Sequence, residues 1–212
     1  MSRTFIVSGT DTGVGKTAVS ALLSLNLNAH YWKPIQSGVA DGADTQSVKT
    51  MTGLPDARFL PEACILQAPL SPHRAAELEG RVIDADALTP PPCDGTLIVE
   101  GAGGLLAPVT REILQIELFR RWGAPVILCA RTALGTINHT LLSVEALRAR
   151  DMRLHGVVFV GDDNPDTIRT VADFSGARVL GRLPWLERLD AASLRAAFAQ
   201  HFRSKDFTGD FT

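Results

Sequence analysis

The sequence predicts one α/β domain, a doubly wound and mainly parallel sheet with helices on both faces. Short apolar runs alternate with longer amphipathic segments along the 212 residues, which is the pattern of repeated strand–helix units. The runs at 97–100 and 125–130 are apolar without alternation, as strands covered on both faces require. Residues able to do chemistry cluster just after such runs, where an open parallel sheet gathers its ligands.

Taken in order, residues 4–8 read as a strand. Residues 17–26 read as a helix, with Ala18, Ala21, Leu22 and Leu25 at helical spacing. Residues 31–34 form a short strand ended by Pro34. The stretch 41–92 is richer in Pro and Gly and less regular. It holds one predicted helix near Ser71-Pro72, with serine as cap and proline in the first turn. A strand at 97–100, a helix at 112–122, a strand at 125–130 and a helix at 137–150 follow. A strand at 154–160, a helix at 166–174, a short strand at 178–180 and a helix at 191–202 complete the domain. It therefore spans 1–202, and the polar tail 203–212 is expected to be disordered.

Hydrophobic residues make up 45% of the chain, enough for a packed interior. The net charge of -2 gives no electrostatic case for nucleic acid or an anionic membrane as partner. Cys64, Cys93 and Cys129 are scattered and odd in number, which suits buried thiols in a reducing compartment. No apolar run approaches membrane-spanning length. The apolar start at Phe5-Ile6-Val7 is too short for a secretory core. The expected location is the cytoplasm.

Gly13-Val14-Gly15-Lys16-Thr17 follows a strand and opens a helix, the context of a phosphate-binding loop (P-loop). Glycines let the backbone N–H groups face an anion, and the helix N-terminus adds its dipole. Lys16 can reach the β- and γ-phosphates, and the Thr17 hydroxyl can bind Mg²⁺. The first glycine, Gly9, lies one residue early, with Thr10 in the usual place. An ordinary glycine turn is the competing explanation, and the Gly-Lys-Thr sequence in this position argues against it.

Mg²⁺ also needs carboxylate oxygens beside the phosphates. Glu100 ends a buried strand and precedes Gly101-Ala102-Gly103-Gly104, a run that suggests close approach of backbone to a ligand. Leu106 stands where a dinucleotide fingerprint needs its third glycine. Asp41 and Asp44 lie in the loop after the second strand, and spacing does not choose between them. Lys33 falls at a strand end, where its ammonium can enter the cleft, although by residue type alone a lysine is most often on the surface. His73 and His139 sit near helix starts and have no triad or metal-ligand spacing around them.

Together these residues resemble the dethiobiotin synthetases, enzymes that close a ureido ring in biotin synthesis. The marks are Gly9-Thr10-Asp11-Thr12 with Val14-Gly15-Lys16-Thr17, Lys33-Pro34 with Ser37-Gly38, Ser71-Pro72-His73 and Glu100-Gly101-Ala102-Gly103-Gly104. Leu134-Gly135-Thr136-Ile137-Asn138-His139 and Gly181 with Leu183-Pro184-Trp185 complete the set. The resemblance implies a P-loop NTPase-like fold and a homodimer. It also implies a reaction of 7,8-diaminononanoate with CO₂ and ATP that needs Mg²⁺. One amine captures CO₂ as a carbamate, the γ-phosphoryl group moves to it, and the second amine displaces phosphate.

The resemblance also implies roles. Lys33, Lys16, Thr12 and Ser37 correspond to the catalytic set, with Thr12, Lys33 and Ser37 also touching substrate. Thr17, Asp44 and Glu100 correspond to the Mg²⁺ ligands, so the resemblance selects Asp44 over Asp41. Gly13, Val14, Gly15, Lys16, Thr17 and Ala18 with Glu100, Gly101, Ala102 and Gly103 form the phosphate cradle. Val160, Gly161, Pro184, Trp185 and Leu186 flank the base. Gly135, Thr136 and Asn138 receive the diamine's tail in the partner subunit, and its carboxylate can dock at the helix N-terminus near Ile137.

Two departures stand out. Relatives often carry glutamate at the position of Gly13. Many also carry an Asn-Asp pair where this chain has Val160-Gly161, so the paired hydrogen bond to adenine is lost. The expectation is a relaxed preference, with CTP, GTP or UTP usable beside ATP. The main rival is a nucleotide switch of the partition or nitrogenase-iron-protein type. Such proteins carry an extra lysine early in the loop, absent here between Gly9 and Val14. A GTPase lacks support, since no N-K-x-D-like segment occurs, and a passive nucleotide-binding protein is the third alternative.

Overall fold

A computed structural model describes residues 3–39 and 42–208. Seven parallel strands form the main sheet in the order β4-β2-β6-β1-β7-β8-β9. These are β1 (Arg3–Gly9), β2 (His30–Trp32), β4 (Phe59–Leu60), β6 (Thr96–Gly104), β7 (Val126–Arg131), β8 (Leu154–Val160) and β9 (Val179–Leu183). A small parallel sheet pairs β3 (Ile35–Ser37) with β5 (Cys64–Leu66). The helices are α1 (Lys16–Asn26), α2 (Asp44–Thr52), α3 (Pro72–Leu78), α4 (Gln115–Trp122), α5 (Thr136–Arg148), α6 (Pro165–Ser175), α7 (Ala191–His201) and α8 (Lys205–Thr208).

Successive residues of a strand face opposite sides, so each central strand feeds two cores. Ile6, Leu97, Val99 and Leu128 join one core, with Ile116 and Phe119 of α4, Val144 and Leu147 of α5 and Val171 of α6. Phe5, Val7, Ile98 and Ile127 join the other, with Val19 and Leu22 of α1 and Leu194 and Phe198 of α7. Burying both faces explains the continuous apolar runs. The chain leaves β1 toward α1 on one face and leaves its neighbour β6 toward α4 on the other. Such a divergence opens a crevice at the carboxyl ends of the two strands.

Several boundaries differ from those the sequence predicts. The second strand stops at Trp32, and after Lys33-Pro34 the chain joins a different sheet at Ile35. Lys33 thus lies at a crossing between sheets. The helix expected from 112 starts at Gln115, because the Thr110 hydroxyl accepts the N–H groups of Glu112 and Ile113. The last strand runs to Leu183, beyond the expected 180. The stretch 41–92 is more regular than its composition suggested and contains α2, β4, β5 and α3.

The tail departs from expectation over 203–208. There the chain turns into α8, with Phe207 buried against Phe5 and His155, and Asp206 paired with Arg178. A buried aromatic and an ion pair fix this segment, so it is not disordered. Residues 209–212 lie outside the described residues, as does Asp41.

Candidate active site

Gly15 precedes α1 as its cap, with φ of +96°, in the left-handed region. A Cβ there would meet Val160 Cγ1 at 2.9 Å, so glycine is needed both for the turn and for the contact. Lys16 is the first residue of α1 and is almost buried. Its ammonium donates to the Asp11 carbonyl at 3.0 Å. Burial, then the charge of Lys33, pushes the Lys16 pKa down.

Parallel pairing sets the next cluster. Trp32 lies opposite Val99, so the following residues, Lys33 and Glu100, arrive side by side. The Lys33 ammonium is 2.7 Å from Asp44 Oδ2 and 3.0 Å from Glu100 Oε1, and donates to the Gly101 carbonyl at 3.1 Å. Burial alone would lower the Lys33 pKa. Glu100 and Asp44 outweigh it and hold the group above its ordinary value. Burial likewise works to raise the Asp44 pKa, but Lys33 and the Thr17 hydroxyl bring it below the ordinary value. Thr17 Oγ1 lies 2.9 Å from Glu100 Oε1 and 3.1 Å from Asp44 Oδ1. Three residues distant in sequence therefore converge on one point with a lysine beside them.

These groups open onto a cleft of about 760 Å³. Thr12, Gly13, Gly15, Lys16, Thr17 and Ala18 line its loop side, and Lys33, Ser37 and Asp44 line another. Glu100, Ala102 and Gly103 close it from β6. Ser37 lines this cleft, and its Oγ is buried with no hydrogen-bond partner among the described residues.

Gly101 is not the ligand-facing glycine that its sequence context suggests, since a Cβ there would strike Phe119 Cζ at 2.7 Å. It is small because α4 packs tightly on β6, and only its carbonyl serves the site. The buried Val160 packs on Gly15 and also borders a second pocket of about 270 Å³, with Arg131, Thr132, Asn164 and the exposed Trp185. Gly161 lies against Trp185, and Pro184 and Leu186 flank it in sequence. Gly135, Thr136 and Asn138 sit at the start of α5, outside the cleft of their own chain. Gly135 and Asn138 are exposed, and Thr136 is buried beside Thr140.

Sequence reasoning missed Tyr31 and Gln36. The Tyr31 hydroxyl donates to Glu100 Oε2 at 3.0 Å, and burial followed by Glu100 holds its pKa well above the ordinary value. Gln36 accepts the Asp44 N–H at 2.9 Å and so fixes the start of α2. A buried tyrosine needs a partner for its hydroxyl, which was the available signal for the first.

Residues 3–193 match a family described as an AAA domain. The ATP-dependent dethiobiotin synthetase BioD of Rhodopseudomonas palustris (strain HaA2) is 56% identical over 210 residues, covering 99% of each chain. The protein of the same name from Brucella anthropi is 52% identical over 209 residues, again covering 99% of each. Among solved structures, the septum site-determining protein MinD with Mg-ADP from Pyrococcus horikoshii OT3 has a TM-score of 0.54. It is 13% identical and the match covers 94% of this chain and 96% of that one. At that identity the likeness is one of P-loop NTPase fold, and it gives the nucleotide-switch reading no support beyond shared architecture.

Proposed function

The chain belongs to the ATP-dependent dethiobiotin synthetase family, and on that premise we propose how its cleft carries out the family's ligase reaction. The observation that carries the reading is Lys33, buried between Asp44 and Glu100 and facing the same cleft as Lys16. The substrates are 7,8-diaminononanoate, CO₂ and a nucleoside triphosphate.

Thr17, Asp44 and Glu100 would hold Mg²⁺. Two carboxylates and a hydroxyl supply hard oxygens, and no group of three acidic, His or Cys side chains able to cage a metal occurs among the described residues. That donor set fits Mg²⁺, which binds through one or two carboxylates and completes its shell with phosphate and water. When bound, the ion would neutralise charge on the phosphates.

The substrate amine adds to CO₂ and loses a proton, giving a carbamate. A carbamate oxygen then attacks the γ-phosphorus, the bond to the departing diphosphate breaks, and a carbamic–phosphoric anhydride forms. The second amine attacks the carbamate carbon, expels phosphate and closes the ring. Carbamate and triphosphate are both anionic, so positioning and positive charge carry most of the catalysis. Lys16 faces the β- and γ-phosphates, and Lys33 faces the carbamate and the transferring group. Thr12 and Ser37 donate hydrogen bonds to the carbamate.

Nucleotide choice is relaxed in this reading. The Asn164 amide is committed to the Thr132 carbonyl and the Thr167 N–H. The Gly161 N–H bonds to Leu183 and its carbonyl to Arg182. The base is then left with the face of Trp185 and little edge recognition. Comparable affinities for ATP, CTP, GTP and UTP support this, and an ATP-only preference defeats it.

A homodimer completes the site. Exposed Leu106 and Leu142 border an apolar depression of about 370 Å³ beside Thr10 and Gly104, and Leu134 is fully exposed nearby. A second copy covering this face would bring Gly135, Thr136 and Asn138 to the partner's diamine. Three free cysteines, two of them buried, suit the reducing cytoplasm.

The test of the reaction is incorporation of labelled CO₂ into acid-stable product with diaminononanoate, Mg²⁺ and nucleotide. A folded sample that incorporates none defeats it.

A further inference from the structure

Arg131 borders the pocket beside Trp185, and a second set of contacts gives it a further role. It ends β7 and is exposed, yet it reaches back to the phosphate loop. Its Nη2 donates to the Gly13 carbonyl at 3.0 Å and to the Thr12 carbonyl at 3.3 Å. Pairing of β1 with β7 brings it there, since Gly9 lies opposite Cys129, two residues before Arg131. Gly13 has φ of +69°, and a Cβ on it would stand 3.2 Å from Arg131 Nη2. The bare glycine and the guanidinium therefore fit as a unit.

We infer that Arg131 is a positioning residue for the nucleotide, clamping the phosphate loop from outside. In a planar trans peptide the C=O and N–H point in opposite directions. Two successive carbonyls drawn to one guanidinium turn the N–H groups of Gly13 and Val14 away from it, into the cradle. Those are the dipoles a phosphate loop directs at its anion. The Nη2 nitrogen carries two N–H groups, so it donates to both carbonyls at once. The clamp acts on nucleotide affinity. It rests on the nucleotide role proposed for the cleft.

The experiment is ADP titration calorimetry and steady-state kinetics on Arg131→Ala, Arg131→Lys and Gly13→Ala. In Arg131→Ala the ADP Kd and the triphosphate KM rise about tenfold, as loss of charged hydrogen bonds implies. Tm stays close to that of the parent, and ATP, CTP, GTP and UTP lose affinity alike, as a shared phosphate-loop effect requires and loss of a contact to one base does not. Arg131→Lys recovers part of the affinity, because an ammonium keeps the donors on a flexible stem that does not fix their direction. Gly13→Ala repeats the loss. Unchanged ADP affinity in Arg131→Ala, or a loss confined to kcat, overturns the inference. If ADP affinity falls in a protein that fixes no CO₂, the clamp stands and the reaction does not. If the enzyme is active and ADP affinity is unchanged, the reaction stands and the clamp does not.

Discussion

Tyr31 donates its hydroxyl to Oε2 of Glu100 at 3.0 Å, while Thr17 and Lys33 both face Oε1. The tyrosine, which does not line the cleft, thereby holds the carboxylate's other oxygen. Tyr31→Phe removes one donor from a buried charge and is expected to cost about 1–3 kcal/mol. Urea unfolding measures that loss, and the Mg²⁺ concentration giving half-maximal activity rises in the same variant. An unaltered Mg²⁺ requirement would show that Thr17 and Lys33 orient Glu100 without help.

Lys33 neutralises two carboxylates that are otherwise forced together. Lys33→Gln is expected to lower kcat at least a hundredfold, the scale of losing one electrostatic stabiliser. Nucleotide binding stays largely intact. The variant is also destabilised, by about 3–5 kcal/mol, the scale of removing one partner from a buried ion pair. Mg²⁺ should raise its Tm more than it raises that of the parent. Lost nucleotide binding would make Lys33 a phosphate ligand alone.

Trp185 is 68% exposed beside Gly161. Base stacking on an aromatic face contributes about 1–3 kcal/mol, so Trp185→Ala should weaken all four triphosphates about equally. A loss specific to ATP would instead reveal edge recognition of adenine.

Gly101→Ala places a methyl group 2.7 Å from Phe119 Cζ. Overpacking of this kind costs about 1–3 kcal/mol. Phe119→Leu in the same chain should recover part of the stability, and a double-mutant cycle of denaturant midpoints measures the coupling.

Burial holds the His155 pKa below its ordinary value, against the opposing hydrogen bond with the Asp206 carbonyl; Arg178 and Arg153 add to the depression. The native state therefore binds fewer protons than the unfolded chain between the two values. Stability is full above the unfolded pKa of about 6.5 and falls as pH drops through it toward the folded value. Urea midpoints across that range should show the slope in the parent and a shallower one in His155→Gln.

The sequence disclosed whatever depended on position along a strand. Lys33 and the 9–17 loop follow the carboxyl ends of β2 and β1, where parallel topology assembles ligands, whereas β6 does not end at Glu100 as expected but continues to Gly104. Helix α2 escaped notice because its nine residues bury only Thr45, Val48 and Thr52, too little for an apolar stripe. The partners of Tyr31 and Gln36 are set by strands and loops far away in sequence, so no spacing rule finds them. Gly101 was assigned to a ligand although its neighbour is Phe119, because close approach leaves the same glycine signal whatever approaches. Phe207, an aromatic in a short polar tail, was a sign that residues 203–208 dock.

Arg3 at the start of β1 donates to the carbonyl of Phe207 in α8. Because every strand of the main sheet runs the same way, residues 3 and 207 meet at the end of the sheet farthest from the phosphate loop. Both residues therefore mark the back of the molecule, on the side away from the cleft. Enzyme immobilised on a surface, or joined to another protein, through that side should keep its mouth facing solvent and turn over as it does when free.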